Sequence, residues 1–88
     1  MLDMVIVDDE QGQLSAMVRI LSNLKPDYRI VGFSNPLMAL SHLNNHHADV
    51  LMTDIRMPEI SGLELVKRVN SVHPYIIKII LTGYSDFI

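Results

Sequence analysis

The stretch Val50-Leu51-Met52-Thr53-Asp54-Ile55-Arg56-Met57-Pro58 decides the fold. A short apolar run leads into one carboxylate, and turn chemistry follows at once at Met57-Pro58. That is the pattern of a buried strand delivering Asp54 to the end of a sheet. Upstream, Met4-Val5-Ile6-Val7 runs into Asp8-Asp9-Glu10 in the same way. If the two runs are neighbouring parallel strands, Asp8, Asp9 and Asp54 meet at one edge. Ligands of open α/β sheets bind beyond the carboxyl ends of the strands.

Working outward, the pattern alternates between strand and helix. Leu2 to Val7 reads as a strand and Gln11 to Leu24 as a helix, with Leu14, Met17, Val18 and Leu21 in one apolar stripe. Pro26-Asp27 makes a break, and the β-rich run Tyr28 to Phe33 is a second strand. Asn35-Pro36 suits a helix cap with proline in the first turn, and Leu37, Leu40 and Leu43 follow until the helix fades near Asn44-Asn45. Asp49 to Asp54 is the third strand. Ser61-Gly62-Leu63-Glu64 fits a capping box in which Glu64 reaches back to Ser61. The third helix runs to about Asn70, with Leu65, Val66 and Val69 inward. After His73-Pro74, Tyr75 to Leu81 is a fourth strand, and Ser85-Asp86 starts a possible fourth helix.

This order, β-α-β-α-β-α-β, implies parallel pairing with right-handed crossovers. The expected fold class is α/β, a flavodoxin-like doubly wound parallel sheet of strand order 2-1-3-4. Its switch point lies between the first and third strands, where Asp8, Asp9 and Asp54 sit.

Length and composition fit this reading. The chain has 88 residues, which allows one domain. Hydrophobic residues make up 49% and charged residues 19%, as in a globular core. The net charge of −3 argues against binding nucleic acid, whose phosphates require a basic face. With no cysteine there is no disulfide framework and no thiolate chemistry, which is compatible with the cytoplasm. No apolar stretch approaches the length of a membrane span.

Three clustered carboxylates repel, and at least one should be pushed to a higher pKa unless a cation intervenes. Mg²⁺ is the natural partner, because it takes oxygen ligands from one or two carboxylates together with phosphate oxygens and water. The cluster is too small for an all-protein calcium cage, and no His or Cys beside it recommends zinc. A carboxylate in such a site can accept a phosphoryl group. The hydroxyl of Thr82, at the end of the neighbouring strand, could donate to a phosphoryl oxygen on Asp54. The acidic first loop has no glycine-rich cradle, which disfavours a nucleotide or flavin phosphate.

At these residues the chain resembles the receiver domain of two-component response regulators. The matching pieces are Val5-Ile6-Val7-Asp8-Asp9-Glu10, Thr53-Asp54-Ile55-Arg56-Met57-Pro58, Ser61-Gly62 and Leu81-Thr82-Gly83-Tyr84-Ser85-Asp86. The resemblance implies that Asp54 accepts a phosphoryl group from a histidine kinase or a phosphotransfer protein. It implies that Asp9, Asp54 and the backbone carbonyl of Arg56 ligate Mg²⁺, that Asp8 acts through a bound water, and that Thr82 is the switch hydroxyl. Met57-Pro58 and Gly62 would shape the loop after Asp54. Receivers normally continue through a fifth strand, which ends in a lysine that pairs with the phosphoryl group, and a fifth helix. The chain is therefore expected to be a C-terminally incomplete receiver domain over 1–88, and Lys78, mid-strand, is not given that lysine's role. A long apolar fourth strand at a sheet edge also leads us to expect a homodimer or swapped oligomer.

Two other functions stand beside the phosphoacceptor. One is a receiver-like interaction or dimerisation module that is not phosphorylated. The other is a metal-dependent phosphatase, which lacks a second acid or base after Asp54, where Arg56 stands. Of the histidines, His46-His47 raise the thought of a metal site, but adjacent residues at a helix end do not share a face, so both are read as surface residues. His42 and His73 read as structural or exposed, and Glu10 and Glu59 as solvated loop acids.

Overall fold

In the computed structural model, residues 1–82 are described. The elements are β1 (Leu2–Val7), α1 (Gln11–Leu24), β2 (Tyr28–Phe33), α2 (Pro36–Asn45), β3 (Val50–Asp54), α3 (Gly62–Val72) and β4 (Ile77–Leu81). The four strands form one parallel sheet of order β2-β1-β3-β4, as the alternating pattern implies. The helix expected from Ser85-Asp86 lies outside the described residues.

Burial follows strand alternation and divides the apolar residues between two faces. On one face Met4, Ile6 and Val50 pack with Leu14 of α1, and Met17, Val18, Leu21 and Met52 close around them. On the other face Val5, Val7 and Leu51 pack with Ala39 and Leu43 of α2 and with Leu65 and Val69 of α3. One helix therefore covers the first face and two cover the second.

Local chemistry sets the helix starts. The Asn35 carboxamide oxygen accepts from the N–H groups of Leu37 (2.8 Å) and Met38 (3.3 Å), with Pro36 in the first turn. Ser61 Oγ accepts from Glu64 N at 3.1 Å. The reciprocal half of the capping box does not form. Glu64 Oε2 instead meets Arg68 Nε at 3.0 Å, one turn along the helix. Glu10, expected to be a solvated acid, caps α1, taking Gly12 N (3.1 Å) on one oxygen and Gln13 N (2.7 Å) on the other. Of the leucines on α2, Leu37 is 42% exposed and Leu43 is buried, together with Ala39.

β4 begins at Ile77 rather than Tyr75. Pro74 has no N–H for a ladder, and the Ile76 N–H is used by His73 O (3.2 Å) in a turn. Lys78 ties the strand to the end of α3. Its Nζ donates to Asn70 Oδ1 (2.8 Å) and to the carbonyls of His73 (3.0 Å) and Pro74 (3.3 Å). Ile77, Ile79 and Leu81, on the opposite face of the strand, remain exposed.

This asymmetry gives a direct test. Leu65 is fully buried and Ile77 is 62% exposed. Leu65→Ala should lower unfolding stability in urea by about 2–5 kcal/mol, and Ile77→Ala by less than about 1 kcal/mol.

Candidate functional site

The site arises from strand register. Val7 pairs with Thr53, so the next residues on β1 and β3, Asp8 and Asp54, leave the sheet side by side. Asp9 follows in the loop to α1. One carboxylate oxygen from each of Asp8, Asp9 and Asp54 lies within 4.8 Å of the others. The three acids differ in exposure: Asp8 is buried, Asp54 half-buried and Asp9 exposed.

Backbone donors orient two of the three. Asp8 Oδ1 accepts from Glu10 N at 2.9 Å, and Asp54 Oδ1 accepts from Ile55 N at 2.9 Å. Asp8 is itself fixed by its N–H, which donates to Phe33 O of β2 at 3.1 Å. Burial pushes the Asp8 carboxyl above its ordinary range. The Glu10 N–H opposes that shift, while the charges of Asp54, Asp9 and Glu10 reinforce it. The upward shift expected from clustered carboxylates falls on the most buried of the three, with burial as its largest cause and repulsion a smaller one.

The loop after Asp54 is clamped against the start of α3. Gly62 N donates to Ile55 O at 2.8 Å. A Cβ on Gly62 would overlap the Asp54 carbonyl oxygen and lie 2.9 Å from its carbon, so only glycine permits this approach. Thr53 is fully buried, and its Oγ1 donates to the Asp54 carbonyl at 3.0 Å. Glu59 adopts φ 71° between Pro58 and Ile60, whose N–H donates to Pro58 O at 2.9 Å. A tight turn of this kind is strained for a residue with a side chain. The sequence did not announce it, because glutamate is not a residue that marks a left-handed position.

Thr82 stands one residue beyond Leu81, the register partner of Asp54, at the same end of the sheet. Arg56, in the loop two residues after Asp54, is exposed. Gly83, Tyr84, Ser85 and Asp86, which belong to the fourth matching piece, lie outside the described residues.

With the fold and the acidic edge in place, comparison with known proteins identifies the class. A family model for the response regulator receiver domain matches residues 4–87, and the chain belongs to that family. It is 38% identical over 89 aligned positions to the transcriptional regulatory protein BtsR of Salmonella typhi, covering 99% of this chain and 36% of BtsR. It is 32% identical over 87 residues to the cyclic di-GMP phosphodiesterase response regulator RpfG of Xanthomonas campestris, covering 97% of this chain and 23% of RpfG. Among solved structures, the response regulator TrrA of Thermotoga maritima, in complex with Mg(2+)-BeF, superposes with a TM-score of 0.89 at 30% identity, covering 99% of this chain and 74% of TrrA. The chain thus spans well under half the length of these curated relatives.

Two outcomes follow from the geometry. The metal-free Asp8→Asn variant keeps an acceptor for Glu10 N and removes the cost of ionising a buried acid. Because the folded-state pKa of Asp8 is raised, the wild type loses stability as pH rises from the unfolded carboxyl value through the folded one. Asp8→Asn should therefore raise the thermal midpoint at pH 7, and the gain should vanish below about pH 4, where the acid is protonated in both states. Gly62→Ala should force the Asp54–Ile55 backbone to move and lower stability by about 2 kcal/mol or more, read from urea unfolding.

Proposed function

We propose that this receiver domain is a phosphoacceptor, taking a phosphoryl group onto Asp54 from a histidine kinase or a phosphotransfer protein. The observation that carries the proposal is the convergence of Asp8, Asp9 and Asp54 within 4.8 Å at the end of the sheet. Three carboxylates, one of them with its ionisation suppressed by burial, fit a hard dication well. Asp9, Asp54 and the backbone carbonyl of Arg56 would ligate Mg²⁺, with Asp8 acting through a bound water. Bound there, Mg²⁺ would neutralise phosphoryl oxygens and favour in-line transfer.

The chain's own groups carry the rest. Ile55 N–H holds Asp54 Oδ1, which leaves Oδ2 as the attacking oxygen. That oxygen bonds to phosphorus while the bond from phosphorus to the donor nitrogen breaks, and the electron pair leaves with the donor. Glu10 N–H keeps Asp8 directed at the site. Thr82, at the adjacent strand end, would donate its hydroxyl to a phosphoryl oxygen and so pass the new charge to β4. The domain is regulatory, and the transfer is the chemistry we assign to it.

We extend the proposal to assembly and place. Among the described residues β4 is an edge of the sheet, and it presents Ile77, Ile79 and Leu81 to solvent. Such an edge supports a homodimer or swapped oligomer of this chain. Among the described residues no helix is long and apolar enough to cross a membrane. A cytoplasmic setting agrees with a kinase partner.

The test is incubation with Mg²⁺ and acetyl phosphate, followed by intact mass. A single phosphoryl adduct is expected, absent in Asp54→Asn and strongly reduced in Asp9→Asn. An adduct that persists in Asp54→Asn, or none on the metal-loaded wild type, would overturn the assignment, and the latter would favour an interaction module that is not phosphorylated.

A further inference from the structure

The opposite end of the sheet holds a second group of metal-binding side chains. Asp3 sits near the start of β1, and His47 and Asp49 lie in the connection from α2 to β3. His47 Nε2 is 3.0 Å from Asp49 Oδ1 and 4.0 Å from Asp3 Oδ2. One ligand atom from each of the three lies within 4.8 Å of the other two.

The two carboxylates are set in place by the sheet. Asp49 N donates to Asp3 O at 2.8 Å, and Asp3 N donates back to Asp49 Oδ2 at 2.8 Å. Asp49 O accepts from Ile77 N at 3.0 Å, which anchors the same residue to the neighbouring strand. The second oxygen of Asp49 is thus held by the backbone, and the first is turned to His47. An outer partner that orients a ligand in this way is a regular part of metal sites.

We infer that Asp3, His47 and Asp49 form a binding site for a first-row transition dication of the Zn²⁺ class. One imidazole nitrogen and two carboxylate oxygens suit such an ion, whereas Ca²⁺ and Mg²⁺ prefer oxygen alone. Bonds of about 2.0–2.1 Å in a tetrahedral shell place neighbouring donors about 3.3 Å apart. The observed 3.0 and 4.0 Å separations bracket that spacing, so small rotations of the exposed His47 ring would complete it. Asp3 and His47 also line an open cavity of about 380 Å³, which gives room for a water in the remaining position. Arg29 Nε, 3.5 Å from Asp3 Oδ1, reaches the carboxylate on its other oxygen. His42 and His46, whose rings stack at 4.2 Å, line the same cavity.

The experiment uses the whole chain carrying Asp9→Asn and Asp54→Asn, so that the acidic site at the other end does not compete. Calorimetric titration with ZnCl₂ at pH 7.5 should give one equivalent, the His47 ring resonances should shift, and the thermal midpoint should rise with Zn²⁺. Adding His47→Ala or Asp49→Asn should weaken binding about tenfold or more, with an unchanged far-ultraviolet spectrum, while His42→Ala should leave it intact. No saturable binding would reduce the trio to an ion pair and overturn the inference. So would binding that survives His47→Ala and is lost with His42→Ala, because that would move the ion to α2.

Discussion

The pairing of β1 with β3 is the constraint on which the rest depends. Both strands sit in the middle of the sheet, and Val5, Val7 and Leu51 on one face and Met4, Ile6 and Val50 on the other are buried. A slip of one residue would turn each set to the wrong face, so two apolar cores fix the register between them. That register delivers Asp8 and Asp54 to the same sheet end, where they repel. The core therefore holds the acids together, and the raised pKa of Asp8, caused first by burial and then by its acidic neighbours, records the cost. A site built under this tension is ready for a cation or for any change that removes negative charge.

The loop from Asp54 to Gly62 transmits the same rigidity. Its backbone is pinned at one end by Thr53 Oγ1 on the Asp54 carbonyl and at the other by Gly62 N on Ile55 O. Between these points Glu59 carries the only positive φ among the described non-glycine residues. The strained residue lies between the two anchors, at the exposed Glu59. The main chain at Asp54 and Ile55 is thus tied by hydrogen bonds to both Thr53 and the start of α3.

The sheet order and the acidic edge were legible in the sequence because both rest on short-range pattern. Two apolar runs that end in acid, with helical stripes between strands, leave few topologies open. What escaped was decided by side-chain reach. Glu10 looked like a loop acid, yet it lies one residue before the helix and satisfies two orphan N–H groups. Glu64 had an N-terminal partner by motif but a nearer one in Arg68. The reading of His46-His47 was right that the two do not share a helix face. It missed that His46 stacks on His42, while His47 turns to Asp49, two residues on, and to Asp3 of β1. The His42–His46 stack follows from the i,i+4 spacing of a helix, whereas the approach of His47 to Asp3 depends on tertiary placement that no local spacing encodes.

The uneven cover of the sheet has a geometric origin. Strands lie about 4.8 Å apart and a helix is about 10 Å wide, so one helix shields roughly two strands. The α2 and α3 pair packs over most of one face, including the side of β4 on which Lys78 is tied to α3. On the other face α1 packs over β1, β2 and the near side of β3, which leaves Ile77, Ile79 and Leu81 beyond its reach. Among the described residues the strand next to Asp54 is therefore the least covered of the four. Its register partner for Asp54 is Leu81, with Thr82 immediately after. The two central strands β1 and β3 carry the acids out of the sheet, and β4, the most exposed strand among the described residues, ends beside them.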